Sequence, residues 1–358
     1  MDTPRRLISA LAVTAVLATS GCAVNELNRG DSDGPLAGTL DGAGSSAQSA
    51  AQEVWIAEAQ NANGRLTVNY EPSGSGAGRE AFIAGGLDFA GSDSALTAAE
   101  AEAGLGACAP GSGAINLPLY ISPLVIIVNI EGVDALNLDA ATAALIFRGE
   151  IREWDDPRIQ ELNPDVTMPS ATITAVHRSD ASGTTKNFTD YLAQAAPDEW
   201  QADAADAFPY GGESAQGNSG VVNAVTNGRN TIGYADASRA GDLTIVSLKV
   251  GDEFVAYTRE AAAAVVEASP LEEGRAPDDL AIRLDRTLTV PGTYPLVLVS
   301  YVIACREYLD PADAELVRGY LSWVASPEAQ EIAAEFAGSA PLSPGLAERV
   351  LAAIEGIR

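Results

Sequence analysis

The sequence predicts an α/β protein built as two lobes with a ligand cleft between them. Short apolar runs typical of strands alternate with alanine-rich segments of helical spacing, the pattern of α/β layers with largely parallel sheets. Two apolar runs, 117–130 and 294–303, are longer than a typical strand and long enough to leave one sheet and enter another. We expect the ligand between the lobes, where strand carboxyl ends and helix N-termini face each other.

The N-terminal segment is typical of a secretory signal. Two arginines precede an apolar run at 7–18, which is too short for a stable membrane span. Small residues before Cys22 resemble a bacterial lipobox, in which residues 1–21 are removed and Cys22 is acylated, although Thr19 stands where that pattern usually has leucine. An ordinary secretory signal with an incidental cysteine is the alternative. Both interpretations place the mature chain outside the cytoplasm.

The chain that follows is strongly acidic. Its formal net charge of −28 becomes −29 without residues 1–21, because that segment carries two arginines and one aspartate. Such a chain repels nucleic acid and anionic membrane surfaces, and no cluster of lysine and arginine opposes this. A nucleic-acid partner is therefore not expected. Residues 22–38 are polar and glycine-rich without an apolar period, which predicts a flexible tether.

The predicted helices and strands alternate from residue 46 onward. Helical spacing covers 46–62 and 313–338. Strands are predicted at 65–71, 87–93, 117–130, 171–178, 231–236 and 294–308. The glycine-rich stretch 211–236, with its GNSG turn, is interpreted as structural lining of the second lobe, and Asn218 is not expected to bind the ligand directly.

Two cysteines, Cys108 and Cys305, remain once Cys22 is acylated. In an oxidising compartment they most simply form a disulfide, which closes a long loop and could stabilise the fold by roughly 5 kcal/mol. Two separate buried thiols are the alternative. His177 is the only histidine, and no Cys/His spacing suggests zinc, so neither a metal nor a cofactor is expected.

Two glycine-rich loops in the first part of the chain offer backbone N–H groups and hydroxyls. The loop Asp41–Ser46 precedes the alanine-rich helix and places two serines at its expected N-cap. The loop Glu71–Glu80 lies between a strand and a helix expected to begin near Arg79, and it contains Ser75. It has neither the G-x-G-x-x-G spacing nor the lysine of a P-loop, so a nucleotide site is not indicated. A small anion needs neither feature.

A third loop, Leu87–Leu96, ends a strand in small residues, and Ser92-Asp93-Ser94 is expected to open the next helix. The ordinary interpretation makes Asp93 an N-cap. The sharper hypothesis is that Asp93 accepts a hydrogen bond from a proton carried by the ligand. Hydrogen phosphate carries such a proton and sulfate does not, so sulfate would leave two acceptors facing each other without compensation.

A fourth stretch, RSDASGTT, gathers hydrogen-bond donors directly after an apolar strand and before a helix. Arg178 supplies a fork of donors that fits an oxyanion, and Asp180 can hold that fork in place. The helix N-terminus adds hydroxyls and free amides, which favour an anion, from Ser182, Gly183 and Thr184. A surface ion pair next to a Ser/Thr helix cap is the alternative.

A hydrolase is not expected from these residues. Ser182 lies on a loop before a helix, but G-x-S-x-G is absent there. His177 lies one residue before Arg178 in a strand, whose alternation directs the two side chains to opposite faces. Without a general base or a metal, neither acyl nor phosphoryl transfer is expected.

The four loops together resemble the PstS family, the phosphate-binding lipoproteins of bacterial high-affinity phosphate ABC transporters. The resemblance lies in DGAGSSAQ, NYEPSGSGAG, LDFAGSDSAL and HRSDASGTTKNFTDYL, in that order, with FRGEIREWDDPRIQELNP as a further stretch, and it runs from about residue 40 to the C-terminus. It implies a type II periplasmic-binding-protein fold, in which two α/β lobes joined by a two-strand hinge close over one phosphate. The implied first lobe is 39–122 with 292–358, and the second is 123–291.

Position by position, the resemblance assigns phosphate binding to the same loops. Ser46 and Ala47 stand where the family has a Thr-Phe pair, so Ala47 can offer only its backbone amide. Asp180 matches the aspartate that orients the arginine. The implied phosphate-binding residues are Ser46, Ala47, Ser75, Asp93, Arg178, Ser182, Gly183 and Thr184.

The resemblance also implies a biological role. It describes a monomeric receptor, lipid-anchored to the outer face of the cell membrane, that captures inorganic phosphate and delivers it to ABC permease subunits with a cytoplasmic ATPase. One alternative is a receptor for another tetrahedral oxyanion, sulfate or molybdate, which Asp93 argues against because neither normally carries a proton at neutral pH. Another is a phosphate sensor or surface antigen that keeps the fold without transport.

Overall fold

The computed structural model describes residues 34–102 and 104–358. The predicted signal peptide, Cys22 and most of the tether lie outside the described residues. The strands are β1 (Ala37–Gly44), β2 (Arg65–Glu71), β3 (Phe89–Ser92), β4 (Ala114–Asn129), β5 (Leu136–Leu138), β6 (Thr174–Arg178), β7 (Glu213–Ala215), β8 (Thr231–Asp236), β9 (Thr244–Val250), β10 (Glu253–Val255) and β11 (Val297–Cys305). The helices are α1 (Ser49–Ala62), α2 (Ser75–Ile83), α3 (Ala98–Glu102), α4 (Ala140–Phe147), α5 (Pro157–Leu162), α6 (Gly183–Ala195), α7 (Pro197–Trp200), α8 (Gly217–Asn227), α9 (Arg259–Ala268), α10 (Pro311–Val324), α11 (Pro327–Ala337) and α12 (Pro344–Glu355).

The long strand β4 joins two sheets. Its residues 114–123 pair antiparallel with β11, whereas residues 124–129 pair antiparallel with β8. The strand order across the molecule is β2-β1-β3-β11-β4-β8-β6-β7, and β9 pairs with β4, β5 and β10 beside this path. Every β4 residue except Asn129 is buried, which explains why most of the strand is apolar. The predicted crossing of the first long run is confirmed.

The outer part of each sheet is parallel. In the first sheet, β1 pairs parallel with β2 and with β3. In the second sheet, β6 pairs parallel with β7 and with β8. Strands that share a direction end at the same edge of their sheet, so the loops that follow β1, β3 and β6 can converge on one ligand. β4 and β11 pair antiparallel with their neighbours where the chain passes between the sheets, and β9 pairs antiparallel with β10 beside them.

The second passage between the sheets lies beside the first. Leu124 N donates to Leu296 O at 2.9 Å, and the Tyr294 hydroxyl donates to Leu124 O at 3.0 Å. β11 begins only at Val297, and among the described strands it pairs with β3 and β4. The crossing predicted for the run 294–303 therefore falls on the residues before β11, and β11 itself belongs to the first sheet.

Local chemistry explains where the helices begin. Side chains accept a hydrogen bond from the first turn at Asp139, Ser182, Thr258, Asp310 and Ser326, as N-caps do. The segment 313–338, predicted as one helical stretch, is two helices, because Pro327 cannot continue a helix and Ser326 caps a new one. No helix in the described ranges is long and apolar enough to cross a membrane.

The predicted disulfide between Cys108 and Cys305 is confirmed. The two sulfurs are 2.01 Å apart and the Cα atoms 5.3 Å apart, across a sequence separation of 197 residues. The bond ties the loop before β4 to the end of β11, and both cysteines are buried. It therefore tethers the end of β11 that lies farthest from the crossing.

The segment from α9 to Ile282 lies against the first sheet, although it follows the strands of the second. Tyr294 N donates to Ala261 O at 3.0 Å. Leu280 N donates to Asn116 O at 3.0 Å, and Ile282 N donates to the Tyr301 hydroxyl at 3.0 Å. The last two bonds fix the segment onto β4 and β11, and the first joins it to the residues before β11.

Candidate anion-binding site

The four loops singled out in the sequence meet in the structure. Gly76 N donates to Ala181 O at 3.0 Å, which joins the second loop to the fourth. Asp93 N donates to the Ser75 hydroxyl at 3.1 Å, which joins the third loop to the second. The first loop is reached through Ser45, whose hydroxyl donates to Asp93. The carboxyl ends of β1, β3 and β6 and the N-termini of α2 and α6 thus form one buried cluster.

Arg178 and Asp180 form a tight pair at this cluster. Arg178 Nε donates to Asp180 Oδ1 at 2.8 Å and Nη2 donates to Oδ2 at 2.5 Å. Asp180 Oδ1 also accepts from Gly217 N at 3.0 Å, so the carboxylate is held by α8 as well. Burial alone raises the pKa of Asp180, but the hydrogen bonds and charge of Arg178 hold it below its usual range. The pair keeps the guanidinium in one orientation.

The third nitrogen of the Arg178 guanidinium has a different environment. Only 1% of the Arg178 side chain is exposed, and Nη1 is buried with no hydrogen-bond partner in the part of the chain that the structure describes. Leaving a buried donor unpaired costs about 1–3 kcal/mol, and more for a charged group. Such a donor is uncommon in a native interior unless a ligand satisfies it. An oxyanion acceptor is the natural complement of this nitrogen.

Asp93 is buried and accepts three hydroxyl donors. Oδ1 accepts from Ser45 Oγ and, at 2.6 Å, from Ser300 Oγ, and Oδ2 accepts from Thr184 Oγ1 at 3.0 Å. Burial raises the pKa of Asp93, and the three hydroxyls with the charge of Arg178 oppose that rise. Asp93 is not a helix N-cap, because α3 begins only at Ala98. The ordinary interpretation of this residue is therefore wrong.

The second loop differs from the sequence expectation in one respect. α2 begins at Ser75, not near Arg79, so the first turn of the helix lies at the cluster, and its Gly76 amide is the one that donates to Ala181 O. A Cβ on Gly76 would lie 2.6 Å from Ala181 Cβ, and a Cβ on Gly183 would lie 2.7 Å from Asp93 Cβ. Glycine at both positions lets the loops approach this closely.

The first loop is shorter than expected, because 41–44 are the end of β1. Ser46 Oγ accepts from Asn218 N at 3.2 Å and from Asn218 Nδ2 at 3.0 Å. Ala47 is fully buried, and its N–H donates to Ser45 Oγ at 3.1 Å. Asn218, expected to be structural, thus joins α8 to the first loop and lies within the cluster.

The fourth loop caps α6 and also bonds to neighbouring parts of the chain. Ser182 Oγ accepts from Thr185 N at 3.2 Å and so caps α6, while Ser182 N donates to Asp206 O at 2.9 Å. Thr185 Oγ1 lies 2.7 Å from the Tyr234 hydroxyl, which also accepts from Arg178 N at 3.3 Å. The cap and the strand end are therefore held in one network.

Several residues of the cluster were not predicted, and the sequence carries weak signals for some of them. Ser300 lies in the middle of a long apolar run, and a polar residue inside a buried strand needs a hydrogen-bond partner. Asn187 Nδ2 donates to Asp93 O at 2.6 Å and to Gly183 O at 3.0 Å. Arg79 joins α2 to Glu100 at 2.8 Å and to Asp206. Only the tertiary fold brings these side chains together.

The chemistry of the cluster is that of anion recognition. It offers the Arg178 guanidinium with one unpaired nitrogen, several hydroxyls and helix N-terminal amides, and the Asp93 carboxylate, which accepts hydrogen bonds. The described residues contain no group of His, Cys, Asp and Glu side chains that could hold a metal ion. The ring of His177 stacks on Phe208 at a centroid distance of 4.5 Å. The arrangement fits a small oxyanion that carries a proton.

Sequence comparison finds relatives over most of the chain. Phosphate-binding protein PstS 3 of Mycobacterium tuberculosis is 37% identical over 290 residues, which cover 79% of this chain and 77% of that protein. Phosphate-binding protein PstS 3 of Mycobacterium leprae is 36% identical over 332 residues, with 88% of each chain covered. Phosphate-binding protein PstS of Methanocaldococcus jannaschii is 29% identical over 296 residues, covering 76% of this chain and 74% of that protein.

Structural comparison supports the same fold. A high-affinity periplasmic phosphate-binding protein, solved with phosphate bound, superposes with a TM-score of 0.71 at 20% identity, covering 88% of this chain and 93% of that chain. A phosphate-binding protein from Stenotrophomonas maltophilia superposes with a TM-score of 0.68 at 18% identity, covering 88% and 94%. These matches confirm the type II periplasmic-binding-protein fold.

Residues 30–328 match the PBP superfamily domain, which covers most of the chain. Relatives that share more than a third of their residues with it over about four fifths of its length include the phosphate-binding proteins PstS 3 and PstS 2 of Mycobacterium tuberculosis. This chain therefore belongs to the PBP superfamily and, within it, to the PstS family of phosphate-binding proteins.

Proposed function

We propose that this protein captures inorganic phosphate in the cleft between its lobes and delivers it to an ABC permease. The observation that carries the proposal is Arg178 Nη1, a buried cationic donor without a partner among the described residues, beside a carboxylate that accepts hydrogen bonds. The names of the relatives support phosphate as the ligand, as does the fold shared with a protein solved with phosphate bound.

The proposed ligand set is the one expected from the sequence. Asp180 orients Arg178, and Arg178 Nη1 contacts a phosphate oxygen. Hydroxyls and helix N-terminal amides supply the remaining donors, and Asp93 accepts the proton of the ligand. The phosphate-binding residues are Ser46, Ala47, Ser75, Asp93, Arg178, Ser182, Gly183 and Thr184. Support comes from their convergence in one buried cluster.

Charge balance explains how so acidic a chain holds an anion. One guanidinium does not neutralise a dianion, so aligned N–H and O–H dipoles supply the rest, each bond to a charged group contributing about 1.5–3 kcal/mol. The net charge of −28 is spread over the whole chain. Its repulsion is screened beyond about 8 Å at physiological ionic strength, so it slows encounter more than it weakens binding.

Closure of two lobes over the ligand is part of the proposal. The lobes are 39–122 with 292–358 and 123–291, and the segment from α9 to Ile282 packs on the first sheet. Contacts between the lobes surround the cluster: Arg79 pairs with Asp206, and Ser46 accepts from Asn218 at 3.0 Å. These bonds exist only when the lobes are together, so phosphate and closure favour each other.

The proposed cellular setting follows the family. The relatives are named as phosphate-binding proteins, and one protein of this fold is named as periplasmic. We place this chain outside the cytoplasm as a monomer, anchored through an acylated Cys22 to the outer face of the cell membrane. Its partners are permease subunits with a cytoplasmic ATPase, and it needs no cofactor.

The test is phosphate binding to the full chain, purified in detergent and stripped of anions, with Arg178→Ala as the variant. The wild type binds phosphate one-to-one, and Arg178→Ala loses measurable binding while keeping its thermal melt. Arg158→Ala removes a surface arginine that pairs with Asp156 and serves as the matched control. Undiminished phosphate binding by Arg178→Ala would show that the cluster is not the site.

A further inference from the structure

Three hydroxyls occupy most of the acceptor capacity of Asp93. An ionised carboxylate offers about four lone-pair positions. Two on Oδ1 are used by Ser45 and Ser300, and one on Oδ2 is used by Thr184. One acceptor position on Oδ2 is left for a ligand proton.

Each of the three hydroxyls also accepts a hydrogen bond from an N–H group. Ser45 Oγ accepts from Ala47 N at 3.1 Å and from Gln48 N at 3.3 Å. Ser300 Oγ accepts from Gln48 Nε2 at 2.8 Å, and Thr184 Oγ1 accepts from Asn218 Nδ2 at 3.4 Å. An N–H group can only donate, so each hydroxyl directs its own proton toward Asp93.

The two side-chain amides in this network have a fixed orientation. Gln48 Nε2 donates to Tyr301 O at 3.0 Å, and a carbonyl can only accept. Asn218 Oδ1 accepts from Asp236 N at 2.9 Å, and a backbone N–H can only donate. Rotating either amide by 180° would place like groups against each other. The backbone therefore sets the direction of the hydrogen bonds that end on Asp93.

We propose that Gln48, Ser300, Ser45 and Asn218 are specificity-determining positioning residues that keep Asp93 ionised and acceptor-only. The inference rests on the proposed function and deepens it. A protonated Asp93 would have to donate to a group that already donates, or to the ligand. With the network intact, the ligand must bring the proton, so the site accepts hydrogen phosphate and rejects oxyanions without one.

The charged and titratable groups around Asp93 are few. Arg178 on β6 lowers its pKa, while Asp236 on β8 and Tyr70 on β2 also interact with it electrostatically. Burial has the largest effect on the pKa of Asp93 and raises it. Among the interactions that lower this pKa, the hydrogen bond from Ser300 is the strongest. Loss of the Ser300 hydroxyl should therefore favour the protonated form of Asp93.

The test is Ser300→Ala in the full chain, with phosphate and sulfate titrated across pH. Protonated Asp93 can donate to sulfate, so sulfate binding strengthens as pH falls, and in Ser300→Ala it begins at higher pH than in the wild type. At neutral pH the ratio of sulfate Kd to phosphate Kd should fall at least about tenfold, the lower bound for losing one hydrogen bond to a charged group. Phosphate binding persists, since Arg178 and the helix amides remain.

Ser300→Thr keeps the hydroxyl and should restore wild-type discrimination. Thr231→Val is the matched control, because Thr231 is a buried hydroxyl residue at the opposite end of β8 from Asp236 and donates to Val225 O at 2.9 Å. If Ser300→Ala does not fold, Gln48→Met removes the donor that directs Ser300 and must give the same pH shift. Unchanged selectivity and pH profile in the variant that folds would overturn the inference. A wild type that does not bind phosphate would overturn the proposed function instead.

Discussion

Replacing Asp206 with alanine should weaken phosphate binding without destabilising either lobe. Asp206 pairs across the cleft with Arg79, and its Oδ1 accepts from Ser94 Oγ at 3.5 Å. In this variant Arg79 still has its ion pair with Glu100, at 2.8 Å. It also still donates to the hydroxyls of Ser92 and Ser94, at 3.0 and 2.9 Å, so it is not left wholly unpaired. The backbone carbonyl that accepts from Ser182 N is unaffected.

The size of the expected loss in phosphate affinity follows from the burial of the Arg79–Asp206 pair. The side chain of Arg79 is 7% exposed and that of Asp206 is 20% exposed, so solvent screens the pair only in part. A hydrogen bond between charged groups contributes about 1.5–3 kcal/mol, and the partial exposure of Asp206 favours the lower end. Because this bond joins the lobes, its loss destabilises only the closed form. Phosphate Kd should therefore rise about tenfold.

Isothermal titration measures this change, with the thermal melt of the ligand-free protein as a second readout. Arg158→Ala is the control, because its partner Asp156 lies on the same lobe and Arg158 is half exposed. That variant should keep its phosphate Kd within about twofold, as expected for a surface pair. An Asp206→Ala protein with unchanged affinity and a lowered melt would refute the role of this pair in closure.

Three further predictions concern single groups. Asp93→Asn can donate as well as accept, so competition titrations should show sulfate binding that the wild type lacks, and unchanged discrimination would contradict the role of Asp93 in reading the ligand proton. Cys305→Ser opens the disulfide to Cys108 and should lower the free energy of unfolding by about 2–5 kcal/mol in denaturant titrations, with no effect expected if the bond adds nothing. Burial raises the pKa of Asp236 to about 6, so the folded state holds its proton more tightly and its contribution to stability is lost as pH rises from about 4 to about 6. Asp236→Asn should remove that part of the pH dependence, and an identical profile in both proteins would count against it.

The elements that sequence predicts best are those whose signal is local. The strand expected at 65–71 and the one at 231–236 have those bounds in the structure, because each is a short strand-like stretch between turns, with alternating burial in β2 and full burial in β8. The start of α2 at Ser75 was missed, since its first turn contains two glycines, which disfavour helix in isolation. There the close packing against Ala181 outweighs propensity.

The site was predictable in its loops but not in its hydrogen bonds. Four loops with small residues, hydroxyls and two arginines are visible in the sequence, and all of them meet. The contact between Ser46 and Asn218 spans 172 residues, and that between Asp93 and Ser300 spans 207. No local pattern encodes such pairings, so the donors that orient Asp93 appear only once the two sheets are assembled through β4 and β11.

Calorimetric titration of the full chain with phosphate and then with sulfate, at fixed ionic strength and neutral pH, tests the central claim most directly. The account predicts tight one-to-one binding of phosphate and no heat from sulfate, because Arg178 supplies the unpaired donor and Asp93 requires a ligand proton. Sulfate binding as tight as phosphate binding would contradict it.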